Sequence, residues 1–145
     1  MSSVFWVSGL PAPQGSKKAF PRGKKTVLVE MSKKVGPWRA AVAAAARPHH
    51  PTPHDCPVIV TIDFFMKRPQ RMPKGRTVPS VPPDIDKLAR STLDALTGIA
   101  FKDDGLVVSL VLTKEYELDR GPGARISVTP LGTPTGSLFS TPIAG

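Results

Sequence analysis

The segment PPDIDKLARSTLDALTG, from Pro82 to Gly98, constrains the fold of this chain more than any other. The two prolines exclude a helix immediately before it, because proline lacks an amide hydrogen and restricts its preceding residue, and Asp84 is a favourable N-cap. The apolar and small positions then recur at intervals of three and four residues: Ile85, Leu88, Ala89, Thr92, Leu93 and Leu96. The spacing predicts an amphipathic helix that begins after Asp84, ends at Gly98 and buries one face.

Segments rich in β-branched and aromatic residues predict strands on both sides of this helix. The predicted strands are Ser3–Gly9, Thr26–Glu30, Pro57–Met66, Gly105–Leu118 and Arg125–Leu131. The last two are expected to pair antiparallel across the turn DRGPGA, and a further helix is predicted from Pro37 through the alanine run that follows. The pattern predicts an α/β (α+β) fold with a mixed sheet of about four to five strands and two main helices.

The length of 145 residues favours one domain, which we place at residues 1–131, with a flexible C-terminal tail over residues 132–145. No apolar run approaches the ~18 residues of a membrane span, and the N-terminus lacks the charged region of a secretory signal. Cys56 is the single cysteine, so no internal disulfide can form. We therefore expect a soluble protein of the reducing cytoplasm.

Charge is distributed unevenly along the chain. Residues 1–83 hold 14 Lys and Arg against three acids, whereas five of the 11 acids fall between Asp84 and Asp104. The bases are clustered in two Pro- and Gly-containing segments, PQGSKKAFPRGKK and KRPQRMPKGRTVPSVPP, which are predicted to be loops. Such loops are either plain solvated surface or phosphate-binding segments, and the clustering favours a polyanionic partner such as nucleic acid.

The acidic residues flank the predicted helix: Asp84 and Asp86 open it, and Asp103 and Asp104 precede the long strand. If that strand packs beside the helix N-terminus, three or four carboxylates converge and repel one another unless a cation is present. Mg²⁺ would relieve the repulsion, since it prefers one or two carboxylates together with waters and phosphate oxygens. Such an ion lowers the pKa of bound water for attack on a phosphodiester, and Arg90 could stabilise the developing negative charge.

A structural interpretation of the same residues stays open. Asp84 can be a simple N-cap, and Asp86 an acid favoured by the helix dipole. Asp103 and Asp104 precede Gly105 in ordinary turn chemistry, and Asp94 needs no role beyond the surface. On this interpretation, the basic loops belong to a non-catalytic nucleic-acid-binding module.

The segment PPDIDKLARSTLDALTGIAFKDDGLV resembles the signature of the RusA family of Holliday-junction resolvases, which are common in phages and prophages. That signature is an Asp-x-Asp that opens a helix, then Leu-Asp-Ala-Leu, then Asp-Asp before a strand. The order of the flanking elements is also similar, so the resemblance extends over most of Val4–Val128, and residues 83–107 are its specific part.

The resemblance implies that Asp84, Asp86 and Asp104 ligate the metal and that Asp103 accompanies the site. Arg90 stands where the family often has a catalytically important Lys, so it retains the charge but donates a proton far less readily. Lys87 and Leu106 replace an Asn and a Gln that are common in the family.

The resemblance further implies a homodimer that resolves four-way DNA junctions by paired, Mg²⁺-dependent incisions, with Mn²⁺ as a substitute ion. A two-fold dimer suits a two-fold junction. Val4, Phe5 and Trp6 are candidates for its contact surface, although a core strand explains these apolar residues equally well. A nuclease of the same fold that prefers flaps or forks is an alternative. The cations expected to bind DNA backbone are Lys17, Lys18, Arg22, Lys24, Lys67, Arg68, Arg71, Lys74, Arg76 and Lys87.

Overall fold

A mixed four-stranded sheet and two helices form the framework of the chain. The computed structural model describes residues 2–15 and 22–132, with the backbone alone for residues 22–32. Its elements are β1 (Ser3–Ser8), α1 (Arg22–Ala46), β2 (Val58–Met66), α2 (Ile85–Leu96), β3 (Val107–Tyr116) and β4 (Gly123–Pro130). Short 3₁₀ turns occur at Arg47–His49 and Asp104–Leu106. The predicted α+β class is confirmed. Lys17, Lys18 and residues 133–145 of the predicted tail lie outside the described residues.

The sheet has the order β1-β4-β2-β3, with β4 antiparallel to both of its neighbours and β2 parallel to β3. The predicted antiparallel pairing of the last two strands is therefore wrong. Burial explains the order: β4 buries Ala124, Ile126 and Val128, as a central strand does, whereas β3 is largely exposed. The contact between β1 and β4 is close enough to require Gly123, where an added Cβ would lie 2.1 Å from the Val7 carbonyl oxygen.

The predicted strand Thr26–Glu30 is also wrong, because these residues form part of the 25-residue helix α1. The β-branched residues in TVLVE favour a strand locally, but such propensity is a weak preference that helical context overrides. Pro37 accordingly lies inside α1 and not near its start. Arg22 and Lys24, which were predicted to lie in a basic loop, belong to the first turn of this helix.

Helix α2 begins and ends where the sequence predicts, with Gly98 at φ +86° just after its C-terminus. Leu88 and Leu96 are fully buried, while Ile85 and Leu93 pack against the core only in part. The Trp38 side chain of α1 is buried beside α2 and donates a hydrogen bond from Nε1 to Thr92 Oγ1 at 3.1 Å. The two helices and the inner face of the sheet thus share one core.

Helix α2 is the crossover between the parallel strands β2 and β3. In such a unit the helix runs back along the strands, so its N-terminus lies near their carboxyl ends. Two contacts fix this arrangement: Lys114, late in β3, bonds to Pro83 just before the helix, and the Lys102 amide bonds to His54 before β2.

No helix in the described part of the chain is both long enough and apolar enough to span a membrane.

The buried His50 makes stability depend on pH. Its Nε2 lies 2.7 Å from Ser3 Oγ, and its pKa is lowered from 6.5 by burial and then by the charges of His54 and His49. Because the folded pKa is below the unfolded one, the unfolded state binds the proton first as pH falls through 6.5.

We therefore expect the free energy of unfolding to fall as pH is lowered from about 7.5 to about 5. His50→Gln should flatten this dependence in a series of urea titrations. His54, whose pKa burial also lowers, should leave a residual slope. An unchanged slope in His50→Gln would contradict the assignment.

Candidate active site

One flank of α2 and the outer part of β3 border an open groove of about 1020 Å³. Asp86, Arg90 and Asp94 line it from the helix, as their four-residue spacing predicts, and Leu110 and Leu112 line it from β3. Lys87 and Asp104 also border the groove. The groove therefore carries both charge signs along an open surface, which suits an extended, charged ligand.

Asp84 and Asp86 together line an adjoining cavity of about 650 Å³, which shares Asp86 and Leu112 with the groove. Asp84 occupies the N-cap position, yet its side chain makes no capping hydrogen bond. Its Oδ2 lies 4.0 Å from Lys87 Nζ, with 60% of the side chain exposed. Asp86 Oδ1 accepts a 2.9 Å hydrogen bond from the Lys87 amide. The simple N-cap explanation of Asp84 is thus not what the geometry shows.

The acidic pair before β3 divides into two different environments. Asp103 Oδ2 accepts a 3.2 Å hydrogen bond from the Gly105 amide and so caps the 3₁₀ turn Asp104–Leu106. Asp104 borders the groove, and its carboxylate has no hydrogen-bonding or ionic partner among the described residues. Asp103 therefore holds the turn that carries Asp104, which leaves Asp104 available to a ligand.

The expected convergence of all these carboxylates does not occur within one chain. Among the side chains that the structure describes, those of residues 2–15 and 33–132, no three acidic, histidine or cysteine residues are grouped to hold a metal ion. The crossover geometry gives the reason: Asp84 and Asp86 lie at the helix start, near the carboxyl end of β3, whereas Asp104 precedes the amino end of β3. From Val107 to Lys114 an extended strand rises by about 23 Å.

Asp84 and Asp86 can supply two of the ligands that a magnesium ion needs. Asp84 and Asp86 border the same cavity and are exposed to solvent, and Mg²⁺ commonly takes one or two carboxylates with waters and phosphate oxygens. Asp104 of the same chain borders the groove with Asp86 but does not line the cavity that Asp84 and Asp86 share, and these acids form no three-ligand group among the described residues. The remaining ligands of such an ion would be waters, phosphate oxygens or a further carboxylate.

Lys114 is a site residue that the sequence analysis missed. Its Nζ donates hydrogen bonds to the carbonyl oxygens of Val81 at 2.8 Å and Pro83 at 2.9 Å, and it lines the cavity of Asp84 and Asp86. Burial lowers its pKa, and the nearby charge of Asp84 opposes that shift. In the sequence it is one lysine in a strand, about thirty residues from its partners, so no local pattern marks it.

The chain leading to the first basic segment is fixed beside the groove. The Gln14 amide donates to the Lys87 carbonyl at 3.0 Å, and Gly15 borders the groove. Arg39 Nη2 donates to Gln14 Oε1 and also lies 3.4 Å from Asp94 Oδ2. Lys17 and Lys18 follow directly but lie outside the described residues, as do the side chains of Arg22 and Lys24.

The second basic segment connects β2 to α2 and leads into Pro82. Four of its cations, Lys67, Arg68, Arg71 and Lys74, are exposed, and Arg76 is half-buried. None of these five forms an ion pair with a described residue. The Arg68 guanidinium lies 5.9 Å from the centre of the Tyr116 ring. Unpaired cations so close to the start of α2 are suited to bind phosphate groups.

Comparison with known proteins points to one family. The sequence model described as Endodeoxyribonuclease RusA matches residues 9–129, which include every acidic residue of the groove and cavity. The Uncharacterized protein YqaN of Bacillus subtilis (strain 168) is 30% identical over 122 residues, covering 77% of this chain and 86% of that protein.

Lys114→Met should loosen the start of α2, because the carbonyl groups of Val81 and Pro83 lose a charged donor. We expect the free energy of unfolding to fall by roughly 1–3 kcal/mol. Amide hydrogen exchange at Leu88, which donates to the Asp84 carbonyl, should accelerate. Lys102→Met is the matched control, because the Lys102 side chain makes an exposed ion pair with Asp55 as its one polar contact among the described residues. Equal effects of the two substitutions would contradict the role given to Lys114.

Proposed function

Because the chain belongs to the RusA family of endodeoxyribonucleases, we propose that it resolves four-way DNA junctions by paired, Mg²⁺-dependent hydrolysis of phosphodiester bonds. One observation carries the metal dependence: Asp84 stands at the N-cap of α2 without capping it and borders one cavity with Asp86. An acid left out of the hydrogen bonding at a helix start is available to a cation.

In this proposal, Asp84 and Asp86 are metal ligands and Asp104 is the third. A magnesium ion held there would polarise the phosphodiester group and lower the pKa of a bound water molecule. Arg90, exposed on the groove one turn after Asp86, stabilises negative charge on the phosphate, as an always-charged guanidinium can. Asp103 supports Asp104 by holding its turn.

A second copy of the chain can supply the third carboxylate. In the described sheet, β3 is an edge strand whose one neighbour is β2, and Val108 and Val111 on it are 53% and 49% exposed. Such an edge offers unpaired backbone groups to another strand. β1 is the other edge of the described sheet and Val4 on it is 59% exposed, but only β3 runs between the turn of Asp104 and the residue Lys114 beside Asp84.

Two-fold pairing of β3 with its copy would be antiparallel. The amino end of one strand then lies beside the carboxyl end of the other. Asp104 of the partner subunit is thereby brought toward Asp84 and Asp86, and the same operation completes the second site. This arrangement would account for acidic residues that one chain keeps apart.

DNA would be held by its backbone. Lys67, Arg68, Arg71, Lys74 and Arg76 lie on the connection that leads into the Asp84–Asp86 cavity, and Lys87 borders the groove. Lys17, Lys18, Arg22 and Lys24 follow the anchored Gln14 in the sequence. Binding should therefore weaken steeply with salt.

Asp86→Asn should lower the rate of Mg²⁺-dependent cleavage of a synthetic four-way junction by at least about a hundredfold while binding persists. The matched control is Asp94→Asn, which removes the same charge from the same flank of α2. Among the described residues, the Asp94 carboxylate pairs with Arg39 alone. Gel-based cleavage and binding assays measure both effects. Cleavage by Asp86→Asn at the control's rate would refute the metal site.

Mixing two inactive variants tests the shared site directly. If each site draws on both chains, Asp86→Asn mixed with Asp104→Asn gives mixed dimers with one intact site, so about a quarter of the sites recover. If all three ligands come from one chain, the mixture stays inactive. Recovered activity should nick one strand, because the other site of each mixed dimer carries both substitutions.

Cleavage assays with junction, fork and duplex DNA in Mg²⁺ distinguish a junction resolvase from a fork or flap nuclease and from a non-catalytic binding module. The proposal expects the junction to be the best substrate. A preference for forks or flaps would assign the same chemistry to another branched DNA. Salt-sensitive binding without any incision would support a non-catalytic binding module.

A further inference from the structure

A third cavity, of about 450 Å³, adjoins the Asp84–Asp86 cavity and shares Pro79, Val81 and Pro82 with it. Six prolines line this cavity, which we call the proline pocket: Pro11, Pro13, Pro69, Pro79, Pro82 and Pro83. Proline fixes the backbone angle φ, so walls built from it are already ordered before a ligand binds. The volume is in the range of small-ligand sites.

The pocket combines apolar walls with a positive lining. Leu10 and Met66 extend the apolar surface, and the charged residues that line it within the described part of the chain are Lys34, Lys67 and Arg76. All three are cations. A ligand that suits this lining has a flat apolar body and carries negative charge.

Tyr116 adds an unsatisfied polar group. The residue lines the pocket and is only 7% exposed, yet its hydroxyl has no hydrogen-bond partner among the described residues. Buried tyrosine hydroxyl groups normally have such a partner. A polar atom of a bound ligand would satisfy this hydroxyl group.

We propose that the proline pocket receives one unpaired nucleobase of the branched DNA, with the adjoining phosphates on Lys34, Lys67 and Arg76. This inference rests on the proposed function. A nucleobase supplies the flat apolar face, polar ring atoms for Tyr116 and a phosphate on either side. Bases at a branch point are already partly unstacked, which lowers the cost of extruding one.

The position of the pocket connects base binding to the metal ligands. Pro83 lines the pocket and is followed directly by Asp84, while Lys114 holds the Val81 and Pro83 carbonyl groups from the neighbouring cavity. A base in the pocket contacts this segment and stabilises one placement of Asp84. The pocket thus selects DNA with an unpaired base within a few nucleotides of the cleaved bond.

The test uses four-way junctions with the fluorescent base 2-aminopurine at single positions around the branch point. Wild-type protein is titrated without divalent ions, so that binding is measured apart from cleavage. We expect one or two positions to change fluorescence at saturation. Leu10→Trp, which narrows the pocket at a residue 47% exposed, should reduce that change at least fivefold while junction affinity stays within threefold.

Leu118→Trp is the matched control, because Leu118 is also exposed, at 64%, but does not line the pocket. Tyr116→Phe keeps the ring and removes only the unpartnered hydroxyl. It should reduce the preference for one base at the responsive position without lowering the free energy of unfolding.

Parallel cleavage assays in Mg²⁺ separate this inference from the proposed function. If wild-type protein cuts junctions but no position responds, or if Leu10→Trp keeps the full response, the base-binding inference is wrong and the nuclease stands. If the response depends on Leu10 but no DNA is cut, the pocket stands and the nuclease is wrong. Displacement of the base by a proline-rich peptide at micromolar concentration would assign the pocket to a protein partner and overturn the inference.

Discussion

The parallel pairing of β2 and β3 is the constraint on which the arrangement of charged groups depends. Parallel neighbours require a long crossover, and here the crossover contains both the basic connection and α2. The helix must run back over the sheet, so Asp84 and Asp86 are placed at one end of β3 and Asp104 at the other. This topological requirement thus explains why Asp84 and Asp86 are separated in space from Asp104, although all three belong to one sequence motif.

The same topology gives the Val81–Pro83 segment a central position. It connects the exposed cations of the crossover to the first acid of the helix, and it forms part of the walls of two cavities. Two hydrogen bonds from Lys114 hold it to β3, and the first turn of α2 follows immediately. A change of position in this short segment would therefore move acidic ligands, phosphate contacts and pocket walls together.

The sequence predicts what local signals determine. Pro82 and Gly98 bound α2 because proline and a left-handed glycine act on the backbone wherever they occur, and the periodic apolar positions select its buried face. The place of β4 between β1 and β2 could not be predicted in this way. The turn between β3 and β4 favours a hairpin of these two strands. The burial of β4 instead requires a neighbouring strand on each side, and β1 and β2 occupy these positions. Lys114 escaped prediction for the same reason, since its partners are remote in sequence.

Keeping the acids of one chain at opposite ends of β3 has a consequence for control of the protein in a cell. If pairing of two copies completes each site, a newly synthesised monomer can bind DNA without cleaving it. Incision would then begin only where local abundance drives self-association, and cutting would respond to the square of protein concentration at low levels. Dimerisation through the edge of β3 would then limit DNA cleavage to conditions in which two copies of the chain associate.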